Sequence, residues 1–147
     1  MTYNYIESGL DNVILENGYT IHKTPYGDGV SIENVAGLHQ AIGRWLVRQR
    51  RPLTGAEFRF LRAELELSQL MIAQMLGTGE QAVRRWEKQR KKDIPGMADR
   101  LIRGLYKEHV DGDGSMKEIM ERLREIDDLQ HTTARLREDN DTWRIAA

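Results

Sequence analysis

The chain has 147 residues, 22 of them basic and 23 acidic, and contains no cysteine. Its length suits one compact domain with small additional modules, and the lack of cysteine excludes disulfides, thiolate catalysis and thiolate metal sites. With no basic stretch leading into an apolar run and no run of about 18 apolar residues, neither a signal peptide nor a spanning helix is expected, and we predict a cytoplasmic protein.

The N-terminal segment, residues 1–34, is predicted to form a small β-rich module. Short apolar runs at 13–15 and 19–22 flank Asn17-Gly18, a dipeptide typical of a tight hairpin turn. A second turn is predicted at 25–29, before a strand at 30–32. Because three short strands make a weak core, this module should lean on the helices or on a second subunit.

The remainder of the chain to about residue 110 has a helical pattern. Apolar residues at helical spacing predict a helix from Val35 to about Arg48, and Thr54 with Glu57 forms a capping-box pattern at the start of the next. The inward stripe of that second helix is Phe58, Leu61 and Leu65. Further helices are predicted at 68–76, at 80–88, and from Pro95 or Met97 to about Glu108.

Two of these helices, spanning residues 68–88, form a helix-turn-helix pattern. Ser68 can cap a helix whose inward side chains are Ile72, Ala73 and Leu76, and Gly77 can adopt the left-handed conformation that ends it. The small side chain of Ala73 permits a close helix crossing. In the following helix the core residues are Val83 and Trp86, which leaves the polar side chains on the outer face.

That outer face is basic and can both donate and accept hydrogen bonds. The nine residues 84–92 carry six positive charges and one negative charge, and residues 53–107 as a whole have a net charge of +4. Gln81 can pair with adenine, and Arg84 or Arg85 can pair with guanine through two hydrogen bonds. A basic run is more often only a solvated helix face, and Glu80 would be favoured at a helix start by the helix dipole alone.

Residues 58–95 resemble the Cro/C1-type (Xre-family) helix-turn-helix regulators. The match is carried by Arg62, Leu65, Ser68-Gln69, Ala73, Leu76-Gly77, Val83 and Trp86-Glu87. The resemblance implies a mainly α fold, with a five-helix lambda-repressor-like domain, a small N-terminal β portion and a C-terminal helix. It also implies an Arg62–Glu87 structural bridge, DNA contact by Gln69 and a major-groove face on the second motif helix. Gly79 stands where these regulators usually have a Ser or Thr cap.

A second, weaker resemblance concerns the N-terminal module, which is similar to the leading module of YgiT/MqsA-type antitoxin regulators. The similarity lies in residues 3–10, Asn12-Val13 and Asn17-Gly18-Tyr19. In that family the module carries zinc through cysteine pairs and can bind a toxin. Because this chain lacks cysteine, no zinc is expected, and the resemblance implies only a toxin as an alternative protein partner.

The C-terminal part, residues 111–147, is predicted to contain a linker and an acidic helix or tail. Residues 111–115 read Asp-Gly-Asp-Gly-Ser and predict a break, and 108–147 have a net charge of −5. Met116, Ile119, Leu123 and Ile126 follow a three-four repeat for two heptads, which is short for a coiled coil. This helix could pack on its own domain. Alternatively, a dimer could form through this helix, through the 35–46 helix, or through both.

The sequence therefore predicts a regulator that binds double-stranded DNA sequence-specifically, as a repressor-type homodimer on an inverted repeat. An antitoxin-like protein-binding regulator is the alternative, and a helix-turn-helix module without DNA binding is a third possibility. The domains are 1–34, 35–110 with the motif at 68–88, and 111–147. No enzymatic activity, metal site, cofactor or membrane contact is expected. The predicted DNA-binding residues are Gln69, Glu80, Gln81, Arg84, Arg85, Lys88, Arg90, Lys91 and Lys92.

Overall fold

The computed structural model describes residues 1–112, 118 and 133–146, and within them the fold combines helices with small antiparallel strand pairs. The five helices predicted before residue 112 are confirmed, but the fold is mixed α and β. The repeat at 116–126 lies outside the described residues. The elements are β1 (Tyr3–Asn4), a 3₁₀ helix (Ile6–Ser8), β2 (Ile14–Leu15), β3 (Tyr19–Thr24), β4 (Gly27–Ile32), α1 (Val35–Arg48), α2 (Gly55–Glu64), α3 (Gln69–Leu76), α4 (Glu80–Lys88), α5 (Gly96–Asp111), β5 (Leu136–Asp139) and β6 (Thr142–Ile145).

The N-terminal strands form two separate pairs, so the predicted hairpin across Asn17-Gly18 is wrong. β2 pairs with β1, not with β3, and this register places Tyr3 opposite Leu15. The chain bends at 16–18, and Gly18 has the positive φ of 77° that such a dipeptide favours. The second predicted turn is present but shorter than predicted: β3 and β4 pair antiparallel, Pro25-Tyr26 links Thr24 to Gly27, and residues 27–29 belong to β4.

A C-terminal hairpin is present that the sequence pattern does not predict. β5 and β6 pair antiparallel across Asn140-Asp141, whose φ values of 51° and 61° are both positive, as a tight two-residue hairpin turn requires. The charged residues of this segment predict a polar tail instead. The register nevertheless places Leu136, Trp143 and Ile145 on one face and the two arginines, Arg137 and Arg144, on the other.

One hydrophobic core joins the N-terminal strands to the helices. Tyr5, Leu10 and Leu15 belong to the same buried cluster as Phe58 and Leu61 of α2. The N-terminal module was expected to pack on the helices or on a second subunit, and in this structure it packs on the helices. Among the described residues, no helix has both the length and the apolar character needed to cross a membrane.

The helix ends follow the predicted capping chemistry. Thr54 and Glu57 form a complete capping box at the start of α2. At α3 the Ser68 hydroxyl oxygen accepts a hydrogen bond from the Met71 N–H at 3.0 Å, and Gly77 ends the helix with φ of 69°. These contacts satisfy polar backbone groups that the ends of a helix otherwise leave unpaired.

A salt bridge on α5 fixes the link between α1 and α2, a role that the sequence pattern does not indicate. The Arg103 guanidinium donates to the carbonyl oxygens of Gln49 at 2.5 Å and Arg51 at 2.6 Å, and its Nε lies 3.1 Å from the Asp99 carboxylate. Asp99 in turn accepts a hydrogen bond from the Leu53 N–H at 2.9 Å. The path of the chain into α2 is therefore held by side chains of α5.

Glu57 should make the stability of the protein depend on pH in the acid range. Burial alone raises the pKa of its carboxyl, but hydrogen bonds from Arg51 and Thr54 outweigh burial and hold that pKa below the ordinary 4.5. The unfolded chain thus takes up a proton more readily than the native protein. We expect the free energy of unfolding to fall as the pH drops below 4.5, and urea unfolding across this range should show a shallower dependence in Glu57→Gln.

The outcome that would contradict this expectation is an equal acid dependence in both proteins. It would mean that the two Arg51–Glu57 hydrogen bonds, at 2.7 and 2.5 Å, do not favour the ionised carboxylate in solution.

Candidate nucleic-acid interface

α3 and α4 are separated by residues 77–79 and pack against each other around small and apolar side chains. Ile72, Ala73 and Val83 are fully buried between the helices. Trp86 is partly buried, and its ring meets that of Phe58 edge-on with centroids 6.0 Å apart. Gly79 precedes α4 in an extended conformation without a side-chain cap, as its residue type implies. The inner face of α4 is thereby fixed against the core.

The outer face of α4 is a continuous arc of polar side chains. At 100° per residue, the helical order around the axis is Glu80, Arg84, Lys88, Gln81 and Arg85. All but Glu80 are exposed, and the Glu80 side chain is one-third exposed. Within the described residues, Gln81, Arg85 and Lys88 make no side-chain hydrogen bond or ion pair. These three side chains are thus free to bind a ligand.

The other two members of the arc belong to a chain of hydrogen bonds that reaches the interior. Arg84 donates to Glu80 at 2.7 Å and to the side-chain oxygen of Gln69 at 3.3 Å. Gln69 donates its amide to Glu87 at 3.1 Å, and Glu87 accepts two hydrogen bonds from Arg62 at 2.7 and 2.8 Å. The Glu87 side chain is only 5% exposed. A buried salt bridge therefore orients the surface amide of Gln69.

The basic segment after α4 is held by the N-terminus of α2. The backbone N–H groups of Gly55 and Ala56 donate to the carbonyl oxygens of Lys92 at 3.0 Å and Arg90 at 3.1 Å. Gly55 permits this approach, because a Cβ atom at that position would lie 2.0 Å from the Trp86 carbonyl oxygen. Lys91 and Lys92 stay exposed while their backbone is fixed.

Arg90 occupies a different setting from the other predicted cations. Its guanidinium donates to the Gly9 carbonyl oxygen at 2.7 Å and lies 3.6 Å from the Asp11 carboxylate, yet about half of the side chain is exposed. Arg90 thus links the basic segment to the N-terminal module. To bind a ligand, Arg90 would have to share or break these contacts, whereas Lys91 and Lys92 would not.

A shallow groove of about 820 Å³ brings five of the nine predicted residues together with Arg59, which the sequence pattern does not single out. Gln81, Arg85, Lys91 and Lys92 lie outside the groove. Arg59 is exposed on α2 and enters the site only because α2 packs against α4. Periodicity places it on an outer face but does not tell which helix lies beside it. The groove is lined by Arg59, Arg62, Ser68, Gln69, Glu80, Arg84, Glu87, Lys88 and Arg90.

No protein-family model, curated protein or solved structure matches this chain.

Proposed function

We propose that the protein is a sequence-specific double-stranded DNA-binding regulator with a lambda-repressor-like helix-turn-helix domain, acting in the cytoplasm as a homodimer on an inverted repeat. The observation that carries the proposal is the exposed arc on α4, which presents donors and acceptors above the buried residues Val83 and Glu87. A helix of this kind fits the B-DNA major groove, where each base pair offers a distinct pattern of hydrogen-bonding groups.

The free side chains of the arc are suited to reading bases. Gln81 offers an amide that matches the edge of adenine, and Arg85 offers a guanidinium fork that matches guanine. Neither side chain makes a hydrogen bond or ion pair elsewhere in the described part of the chain, so neither must break a contact to engage a base. Arg84 keeps further N–H donors after binding Glu80 and Gln69, because a guanidinium has five.

Phosphate contacts would come from the cations beside the arc. Lys88 lies on α4, Lys91 and Lys92 lie on the fixed segment after it, and Arg59 lies across the groove. Phosphate neutralisation releases condensed counterions, so it strengthens binding to any sequence and makes affinity depend on salt. Gln69 retains one amide N–H beyond the one that it donates to Glu87, and this group is available to a phosphate at the start of α3.

Arg85→Ala should change base preference rather than binding to duplex in general. Losing a two-bond contact to one guanine costs about 1–3 kcal/mol on the preferred site and relaxes selection at that position. Lys91→Ala, the matched control, should weaken all duplexes alike and lower the slope of log affinity against log salt by about 1. Fluorescence anisotropy titrations on the preferred site and its single-base variants would measure both effects.

If Arg85→Ala weakened every duplex to the same extent, Arg85 would be a phosphate contact. The assignment of the reading face to this part of α4 would then be wrong.

A further inference from the structure

An apolar stripe of Leu38, Ala41 and Trp45 runs along α1, beside the residues of this helix that pack into the core. The inward residues Ile42 and Leu46 are buried, whereas the Trp45 side of the helix is open. Trp45 is 43% exposed, and Ile14 of the adjacent strand β2 is 60% exposed. Together with Leu38 and Ala41 they border an open groove of about 270 Å³. Contiguous exposed apolar surface of this kind usually marks an interaction site.

The stripe is complementary to itself when two copies pack antiparallel. With a two-fold axis between Ala41 and Ile42, Leu38 of one copy faces Trp45 of the other, since the two positions are equally distant from that axis along the helix. Ala41 then meets its own counterpart. Its small side chain allows the helix axes to approach within the 8–10 Å of ordinary helix packing.

The charges at the two ends of α1 favour the same arrangement. Glu33 precedes the helix and Arg48 ends it, and both are exposed. Neither makes a side-chain hydrogen bond or ion pair with any other residue that the structure describes. Antiparallel packing places each Glu33 near Arg48 of the second copy, at both ends of the interface. Parallel packing would instead bring like charges together.

We infer that α1 is the homodimer interface and that its occupant is the α1 stripe of a second copy. The inference rests on the proposed function in one respect: an inverted repeat needs two reading helices related by two-fold symmetry. The stripe shares no residue with the arc on α4 or with the basic segment at 89–92. Dimerisation through α1 therefore leaves the DNA-contact face free.

The C-terminal hairpin β5–β6 is the competing surface, and it supplies the matched control. Trp143 is 68% exposed on its apolar face, so Trp45→Glu and Trp143→Glu both place a charge at an exposed tryptophan. Sedimentation equilibrium of the full chain without DNA should give twice the 17.0 kDa chain mass for the wild type. Trp143→Glu should stay dimeric, and Trp45→Glu should be monomeric at the same micromolar concentration.

A charge exchange tests the orientation without altering the apolar stripe. Glu33→Arg and Arg48→Glu should each weaken dimerisation about tenfold, because a two-fold interface contains each altered contact twice. The double variant Glu33→Arg/Arg48→Glu should restore the wild-type dissociation constant. Circular dichroism of each variant would establish that the secondary structure is retained.

Two results would overturn the inference. One is a monomeric wild type. If Trp45→Glu also lowered the stability of that monomer, another segment of the same chain would cover the stripe. The other is a dimer that survives Trp45→Glu and dissociates in Trp143→Glu. The DNA proposal fails separately: a dimer that depends on Trp45 but binds no duplex would refute the proposed function and leave the interface in place.

Discussion

Replacing Glu87 by leucine is expected to lower the free energy of unfolding by about 3–5 kcal/mol, because it leaves the Arg62 charge without its partner. Arg62 is only 15% exposed and donates two hydrogen bonds to Glu87 and one, at 2.9 Å, to the Leu67 carbonyl oxygen. The variant also frees the amide of Gln69, which Glu87 anchors. Urea unfolding should therefore show a lower free energy of unfolding, and a DNA titration should show a lower affinity.

The double variant Arg62→Met/Glu87→Leu separates these two effects. Replacing both members of a buried ion pair by apolar side chains is often neutral or stabilising, so most of the lost stability should return. DNA affinity should remain reduced, because Gln69 still lacks its anchor. A double variant that is as unstable as Glu87→Leu would contradict the view that an unpaired Arg62 charge causes the loss.

Gly55→Ala is expected to destabilise the protein by about 3 kcal/mol, although alanine has a higher helix propensity than glycine. The added Cβ would lie 2.0 Å from the Trp86 carbonyl oxygen and 2.8 Å from that of Gln89. Both are backbone atoms, so no side chain can rotate away. Displacing α2 from this position would also break the hydrogen bonds from Gly55 and Ala56 that hold the basic segment. Urea unfolding would measure the change in stability.

Gly104→Ala is the matched control, since it makes the same change within α5. A Cβ atom at Gly104 would have no contact within 4 Å. This variant should gain about 0.4–1 kcal/mol through the smaller conformational freedom of the unfolded chain. Similar effects of the two substitutions would mean that α2 does not pack on the end of α4 as described.

The sequence predicted those parts of the fold that depend on local chemistry. The capping-box pattern of Thr54 and Glu57 predicts the start of α2, and Gly77 has the left-handed conformation expected after α3. Helical periodicity also identified Val83 as buried. Capping and amphipathic spacing act within a few residues, so they can be read without knowledge of the tertiary fold.

Contacts between segments distant in the chain could not be predicted in this way. The dipeptide Asn17-Gly18 locally favours a hairpin between its flanking strands, but β2 pairs with β1 at the N-terminus. Arg103 and Arg59 look like ordinary exposed cations in the sequence. Their roles depend on which helices lie beside α5 and α2, which no local pattern specifies.

Selection of bound sequences from a pool of random duplexes tests the central proposal most directly. We expect enrichment of an inverted repeat whose half-sites are about one helical turn apart, and enriched sites should lose affinity steeply as salt increases. Arg85→Ala should relax the enrichment at one position in each half-site. Failure to enrich any sequence, with no retarded complex even at low salt, would contradict the account of α4 as a DNA-reading helix.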